Sequence, residues 1–246
     1  MRPTRMTVAG MAALGAVVMA APAHAGDNNQ VYIKQESPAG STDGNSLTID
    51  QSQAFSSILT GPTDQLVDDA RNATPGEYLN AVVPLDRAPM GNTALQRGEG
   101  NSATLTITGS GGELQILQDS TPGGVLFLGA GGGNTANATV NGNGLGAIIQ
   151  VGQLNEANLT LNGDGSSGLI SQFGSNLEAS LTVQAGGTGQ IIQNGNNSNT
   201  GMVEVVTGAT VTYTQIGNNL QPVGPTGVQV MSTINAGNIS ITQTGF

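Results

Sequence analysis

Glutamine side chains recur along this 246-residue chain at a nearly fixed interval, and each amide can both donate and accept hydrogen bonds. Gln150, Gln172 and Gln193 are separated by 22 and 21 residues. A buried amide without a partner costs about 1–3 kcal/mol, but identical amides on stacked strands bond to one another as a ladder. The alternative is that each glutamine is a solvated strand residue. Because Gln150 shares its face with the apolar Ile148, we expect it to point inward.

The predicted ladder runs through most of the chain, and we expect it to serve self-assembly. A slip of one residue in strand register would break it. Its predicted inward members are Gln35, Gln51, Gln96, Asn101, Gln118, Gln150, Asn155, Gln172, Gln193, Gln215 and Gln243.

Acidic residues offer a second kind of chemistry. Glu156 and Glu178 lie one interval apart, and paired carboxylates facing one groove could cleave glycosidic bonds. Stacked acids also form a solvated edge that restrains premature strand pairing, and we favour that interpretation. Asp164 lies in a Gly-Asp turn without a counterpart in the neighbouring turns, so calcium binding is not expected. We predict no enzymatic activity, no metal and no cofactor.

The residues around the glutamines alternate with period two, which indicates strands. Glycines fall where the chain must reverse, and we predict turns at Gly98, Gly152, Gly174, Gly195 and Gly217. A strand–turn–strand unit repeated about every 22 residues predicts an all-β protein, a β-solenoid of stacked repeats. Its predicted apolar core comprises Ala103, Leu105, Ile107, Ile148, Ala157, Leu159, Leu161, Ile170, Ala179, Leu181, Val183 and Ile191.

The chain divides into four segments. Residues 1–25 have a basic start, a short apolar run and an Ala23-His24-Ala25 site, which predicts a secretory signal peptide. Residues 26–51 form a first, looser repeat. Residues 52–95, rich in proline and charge, predict an irregular insertion or connector with a short helix capped by Thr63. Residues 96–246 carry the solenoid repeats.

Composition excludes several classes of protein. There is no cysteine, and aromatic residues make up only 3% of a chain that has 38 glycines, so a thin stack of small rungs fits better than a globular core. Sixteen acids face six bases, and two of those bases, Arg2 and Arg5, lie in the predicted signal. The remaining acidic excess argues against nucleic acid as a partner.

The pattern Gln-x-Gly-x-x-Asn-x-Ala, repeated near every 22 residues, resembles the curlin repeat of curli fibre subunits. The match is complete from Gln96 to Ala103 and from Gln150 to Ala157, and partial at Gln172, where Leu177 replaces the asparagine. The family usually has a second inward glutamine four residues after the alanine. Only Gln51 resembles it here, so the core should be more apolar than in the family.

The resemblance implies a bacterial protein that is secreted and polymerises into an extracellular amyloid fibre of the biofilm matrix, a fimbria-like structure that serves adhesion. It implies partners as well: other copies of the chain, other fibre subunits, and an outer-membrane secretion pore with its accessory proteins. A monomeric solenoid that binds polysaccharide or ice is the alternative function. It would use the outward threonines Thr104, Thr106, Thr108, Thr139, Thr160 and Thr182.

Overall fold

The computed structural model describes residues 6–9, 28–37, 43–71, 92–121, 132–222, 227–230 and 238–245. About two thirds of them lie in β-strands, which form two sheets of stacked, mostly parallel strands. From β6 onward the chain alternates between the sheets, so that successive strands of one sheet are separated in sequence by a strand of the other.

The first sheet carries the glutamines and is called the glutamine sheet. Its neighbouring strands pair in parallel from one end of the stack to the other. Its strands are β2 (Gln30–Val31), β3 (Ile33–Glu36), β5 (Ile58–Thr60), β6 (Ala94–Arg97), β8 (Glu113–Asp119), β10 (Leu145–Gln153), β12 (Ser167–Ser175), β14 (Thr188–Asn196), β16 (Thr210–Ile216) and β18 (Asn238–Thr244).

The second sheet, called the threonine sheet, presents threonines on its outer face. Its first strand lies within the predicted signal peptide and pairs antiparallel with β4, whereas the other strands are parallel. The strands are β1 (Met6–Ala9), β4 (Ser46–Phe55), β7 (Ser102–Ser110), β9 (Thr135–Asn141), β11 (Glu156–Asn162), β13 (Glu178–Gln184), β15 (Asn199–Val205) and β17 (Gly227–Val230).

Strand register places like residues opposite one another. Gln150 pairs with Gln118 on one side and with Gln172 on the other, and Ile148 lies between Ile116 and Ile170 in the same way. Neighbouring strands of a sheet are about 4.8 Å apart, so identical side chains form continuous columns at van der Waals or hydrogen-bonding distance.

The core lies between the two sheets, and small residues of one face large residues of the other. A Cβ atom added to Gly168 would lie 2.9 Å from Leu159 Cδ1, and one added to Gly189 would lie 2.9 Å from Leu181 Cδ1. Glycine on the glutamine sheet therefore makes room for leucine on the threonine sheet. The twelve apolar residues assigned to the core from sequence are all buried, at most 4% exposed.

The predicted segment boundary at residue 52 is wrong, because β4 continues to Phe55 and β5 belongs to the glutamine sheet. β5 and β6 occupy one strand position. Thr60 lies opposite Gln115 and Leu95 lies opposite Leu117, so Thr60 and Ala94 are consecutive places in the ladder. Residues 61–93 are thus an insertion within a single strand. Three residues of β5 are too few to show alternation in the sequence.

The two ends of this insertion meet at a closed neck. Asn92 Nδ2 donates to the carbonyl of Pro62 at 3.2 Å, and Thr60 Oγ1 donates to the carbonyl of Asn92 at 2.5 Å. A Cβ atom on Gly61 would lie 2.1 Å from the carbonyl oxygen of Thr93. These contacts let the chain leave the strand and return without disturbing its register.

The insertion contains α1 (Asp64–Arg71), the helix expected from the sequence. Thr63 caps it, since the Leu66 amide donates to Thr63 Oγ1 at 3.1 Å, and Asp64 lies favourably in its first turn. In the part of the chain described, no helix has the length and apolar content needed to cross a membrane.

A tight corner joins each glutamine strand to the next threonine strand, and one residue there has positive φ. Asn176, Asn197 and Asn219 take this position with φ between 53° and 58°, which asparagine tolerates well. Leu154 takes the same position with φ of 58° and is 55% exposed. A leucine gains nothing from burial there and is strained by its backbone conformation.

We expect Leu154→Asn to raise the free energy of unfolding by about 1 kcal/mol, because the left-handed conformation disfavours leucine by about that amount. Asn176 Nδ2 already donates to Asn197 Oδ1 at 3.0 Å, and the new amide would extend this pair. Chemical denaturation measures the change. The converse substitution Asn176→Leu should destabilise by a similar amount, and an unchanged midpoint for both variants would contradict the assignment of strain.

Candidate functional site: a ladder of glutamine amides

Eight glutamines form one unbroken chain of side-chain hydrogen bonds through the glutamine sheet. The Nε2 atom of each donates to the Oε1 atom of the glutamine on the next strand, at distances from 2.6 to 2.9 Å. The ladder therefore has a direction. Its members in order are Gln35, Gln96, Gln118, Gln150, Gln172, Gln193, Gln215 and Gln243.

The second N–H of each interior amide reaches across to the opposite sheet. Gln172 Nε2 donates to the backbone carbonyls of Glu156 at 2.9 Å and Leu177 at 3.0 Å, where the chain enters the threonine sheet. Gln150 makes the same contacts with Thr135 and Asn155. One side chain thus connects two strands of its own sheet and fixes the corner leading to the other sheet.

The six interior glutamines are at most 1% exposed. Their burial would be costly without partners, since each carries three hydrogen-bonding groups. The contacts above use both N–H groups and the carbonyl oxygen of each interior amide. A solvated strand position, the alternative considered for these residues, does not describe them.

Gln51 does not belong to the ladder, so its predicted place there is wrong. It is buried, at 3% exposure, but it lies on β4 of the threonine sheet and donates to Ser57 Oγ at 3.0 Å. Alternation shows which residues face inward, but it does not show from which sheet. Its Oε1 atom is buried without a hydrogen-bond partner in the described chain.

Asn101 and Asn155 form a second, shorter ladder at the corner, separate from the glutamines. Asn101 Nδ2 donates to Asn45 Oδ1 at 3.0 Å, and Asn134 Nδ2 donates to Asn101 Oδ1 at 3.2 Å. Asn155 continues it through its backbone amide, which donates to Asn134 Oδ1 at 3.2 Å. At the next corner the side chain is Leu177, although its amide still donates to Asn155 Oδ1.

Two members of this asparagine ladder, Asn45 and Asn134, were missed in the sequence. Asn45 follows a loop that alters the spacing from Gln35, and Asn134 follows the glycine-rich stretch that lengthens the step from Gln118 to Gln150. The signal that could have found them is the preceding glycine, followed by a small residue and an alternating strand, as at Asn101.

The predicted turn glycines stack beside the amide ladder, and all five have positive φ, between 97° and 144°. A Cβ atom on Gly174 would lie 1.7 Å from the carbonyl oxygen of Gly195, and one on Gly152 would lie 1.8 Å from that of Gly174. No other residue fits this close approach of successive strands. The glycines therefore set the stacking distance that the amides need.

The ladder ends at Gln243 on β18, whose side-chain oxygen accepts two hydrogen bonds from β16. Gln215 Nε2 and the hydroxyl of Tyr213 both donate to Gln243 Oε1, at 2.7 and 2.8 Å. Gln243 Nε2 donates to the carbonyl of Gln221 at 3.1 Å. At the opposite end, Gln35 donates to Gln96 at 2.6 Å, and its own Oε1 receives no hydrogen bond from the described chain.

Charged side chains gather at the first strands. Glu36 lies 2.6 Å from Lys34 Nζ and 3.8 Å from Arg97, which in turn lies 3.8 Å from Asp119. Among the described residues, Glu156 and Glu178 are paired in register but exposed, and no group of three or more potential metal ligands occurs.

Comparison with known proteins adds no relative. No protein-family model, no curated protein and no solved structure matches this chain.

We expect Gln172→Glu to lower the free energy of unfolding by about 3 kcal/mol or more at pH 7. The introduced carboxylate would be fully buried and could donate neither to Gln193 nor to the carbonyls of Glu156 and Leu177. Burial raises the pKa of the introduced acid in the folded state, so the loss should shrink as pH falls from that raised pKa toward the ordinary value of about 4.3, where the acid is protonated in both states. Urea denaturation at pH 7 and pH 4 measures both effects.

Gln153→Glu is the matched control, because Gln153 lies on the same sheet but outside the ladder and is partly exposed. It should change stability by less than about 0.5 kcal/mol. Equal losses for the two variants would show that the ladder contributes nothing particular to the fold.

Proposed function

We propose that the protein is a β-solenoid subunit that self-assembles end to end into a fibre. In this proposal each pair of strands, one from each sheet, forms one rung of about 22 residues. The twelve-residue core, the in-register columns and the stacked glycines support it, since all three repeat from strand to strand. A stack of like rungs ends in strands with unpaired backbone groups that can pair with another copy.

The observation that carries the proposal is that the amide ladder reaches both end strands with complementary groups. The first strand presents the Gln35 carbonyl oxygen, and the last presents an N–H of Gln243 that remains after its bond to Gln221. Placing β3 of one copy against β18 of another would continue the ladder without a gap. Head-to-tail contacts of this kind do not close, so they generate filaments rather than rings.

Charge distinguishes the two ends. β18 carries no charged side chain, whereas β3 carries Lys34 and Glu36, which pair with each other, and Glu36 also pairs with Arg97. Charged residues on edge strands restrain unwanted pairing. An incoming β3 brings its own internal ion pair, so docking on the neutral β18 buries no unmatched charge.

The resemblance to curlin repeats extends this proposal to its biological setting. In that setting the protein carries a signal peptide in residues 1–25 and is secreted through an outer-membrane pore with accessory proteins. It then joins other subunits in an extracellular, curli-like amyloid matrix that serves biofilm formation and adhesion. The proposal involves no catalysis, no cofactor and no nucleic acid.

Thioflavin fluorescence and electron microscopy on residues 26–246 at neutral pH test self-assembly over a day. We expect fibres that bind the dye. A lag before growth would indicate a major subunit and immediate growth a nucleating one. A protein that stays monomeric with β-rich circular dichroism would contradict the proposal.

Gln243→Lys tests the end contact itself. It removes the ladder amide on β18, the last strand. Elongation from preformed seeds should slow at least tenfold, because a positive charge would then face the next subunit's ladder. Thr242→Lys is the control, since Thr242 is exposed and alternates to the other face of the same strand. Equal elongation rates in the two variants would remove the ladder from the assembly mechanism.

The outer face of the threonine sheet supports a second candidate, a monomeric binding module. Thr106, Thr139, Thr160 and Thr182 lie in one register row on four successive strands and are partly exposed. Such a row could bind ordered water at an ice surface or a polysaccharide. A stable monomer in the assembly experiment would favour this candidate if it binds ice or a polysaccharide and Thr160→Lys abolishes that binding.

A further inference from the structure

The interior glutamines show how the strands of the two sheets are ordered along the stack. Gln172 of β12 bonds to the carbonyl of Glu156 on β11 and to that of Leu177 at the corner before β13, so β12 lies between those two threonine-sheet strands. Gln96 of β6 bonds in the same way to the carbonyl of Ser46 on β4. Strands of the two sheets therefore alternate in level along the stack.

This alternation begins with a threonine-sheet strand and ends with a glutamine-sheet strand. β1 pairs with the edge of β4 that faces away from β7, so it lies beyond β3. At the other end β18 lies beyond β17, because Gln243 bonds to the carbonyl of Gln221 on the segment that leads into β17. No described strand of the threonine sheet follows β18. The two sheets are thus offset by one strand, in the same direction at both ends.

The inner face of β18 is exposed where this offset leaves it without a threonine-sheet strand. Val211 on β16 is fully buried, whereas Ile239, which lies opposite it on β18, is 38% exposed. Ile241 lies opposite the fully buried Tyr213 and is itself only partly buried. Apolar rows that are buried on β16 and exposed on β18 indicate that one more strand can pack over them.

We propose that β1 of one copy fills this place on the next copy, so that two subunits meet in a lap joint with β1 between β17 of one subunit and β4 of its own. The inference rests on the proposed end-to-end growth and deepens it by naming the strand that completes each junction. The order β17, β18, β1, β3 continues the alternation without a gap. No element has to move, because β1 already extends beyond β3 and β18 already extends beyond β17.

The strands that would meet are compatible in pairing and in charge. Among the described strands β1 pairs only with β4, so the backbone groups of its other edge can pair with β17. It is antiparallel to β4 and would be antiparallel to β17 as well, an arrangement that mixed sheets commonly contain. The sequences of β1, β17 and β18 contain no charged residue, so the joint buries no charge.

The joint gives residues 6–9 a role in assembly that is separate from the export role predicted for residues 1–25. A chain without residues 1–25 lacks β1, and each junction of its fibres would leave the edges of β17 and β4 unpaired and Ile239 exposed. Such fibres should grow more slowly than fibres of the full chain.

Two single-cysteine variants of the full chain test the joint directly, since the chain has no cysteine of its own. Thr7 pairs with Thr48, and the same register row crosses the sheet to Met202 and Gly227. Thr7 of one copy would lie opposite Gly227 of another at a Cα–Cα distance of about 5 Å, which suits a disulfide. Mixed Thr7→Cys and Gly227→Cys chains should therefore cross-link under mild oxidation in fibres but not as monomers.

Thr160→Cys is the matched control for Gly227→Cys, because Thr160 lies on β11 in the middle of the same sheet. It should not cross-link to Thr7→Cys. Fibres without the Thr7–Gly227 cross-link, or with an equal cross-link to Thr160→Cys, would overturn the joint and leave end-to-end growth standing. If the unmodified chain forms no fibres, end-to-end growth fails and the joint fails with it.

Val8→Pro gives an independent test in the full chain. A strand between two others uses each N–H on one side or the other, and proline has none, so seeded elongation should be about tenfold slower than for Val8→Ala, which keeps the N–H. A peptide of residues 4–11 added in trans should restore the rate and sediment with Val8→Pro fibres at about one copy per subunit. Equal elongation of the two variants, or no uptake of the peptide, would contradict the proposal.

Discussion

The primary amide of glutamine is the interaction on which the rest of this structure depends. It has two N–H groups and one carbonyl, and in Gln172 these are used along the stack toward Gln193 and Gln150 and across it toward Glu156 and Leu177. A carboxylate lacks the donors and a hydroxyl lacks the reach. The amide thus fixes strand register and sheet-to-sheet distance at once, and the apolar columns pack within limits that it sets.

The ladder works only because its surroundings keep the strands close. The glycines beside it allow backbone contacts that any Cβ atom would prevent, as at Gly174 against Gly195. Glycines on the inner face leave room for leucines of the other sheet. Few large side chains are needed when the two sheets are this close, which explains how a chain with 3% aromatic residues buries a continuous core.

Much of the inner face was predictable from the sequence, because spacing and alternation both act locally. Gln150, Gln172 and Gln193 lie one interval apart, and the structure puts them in contact. Gln51 shows the limit, since alternation gives the face of a strand but not its sheet. The burial of the outer face of β10 and β12 was missed, although Ile149 and Phe173 are visibly apolar. Helix α1, which is distant in sequence, packs against this face, and no local pattern encodes that contact.

Because the neck at Thr60 and Ala94 is closed, the strand register does not depend on the length of the inserted segment. Loop entropy grows only with the logarithm of length, so segments of very different size could leave and return here at little cost to the stack. This position is therefore a suitable insertion site for an added peptide or domain. In an assembly built from such subunits, every copy would display its graft on the same side, at a spacing fixed by the number of strands per chain.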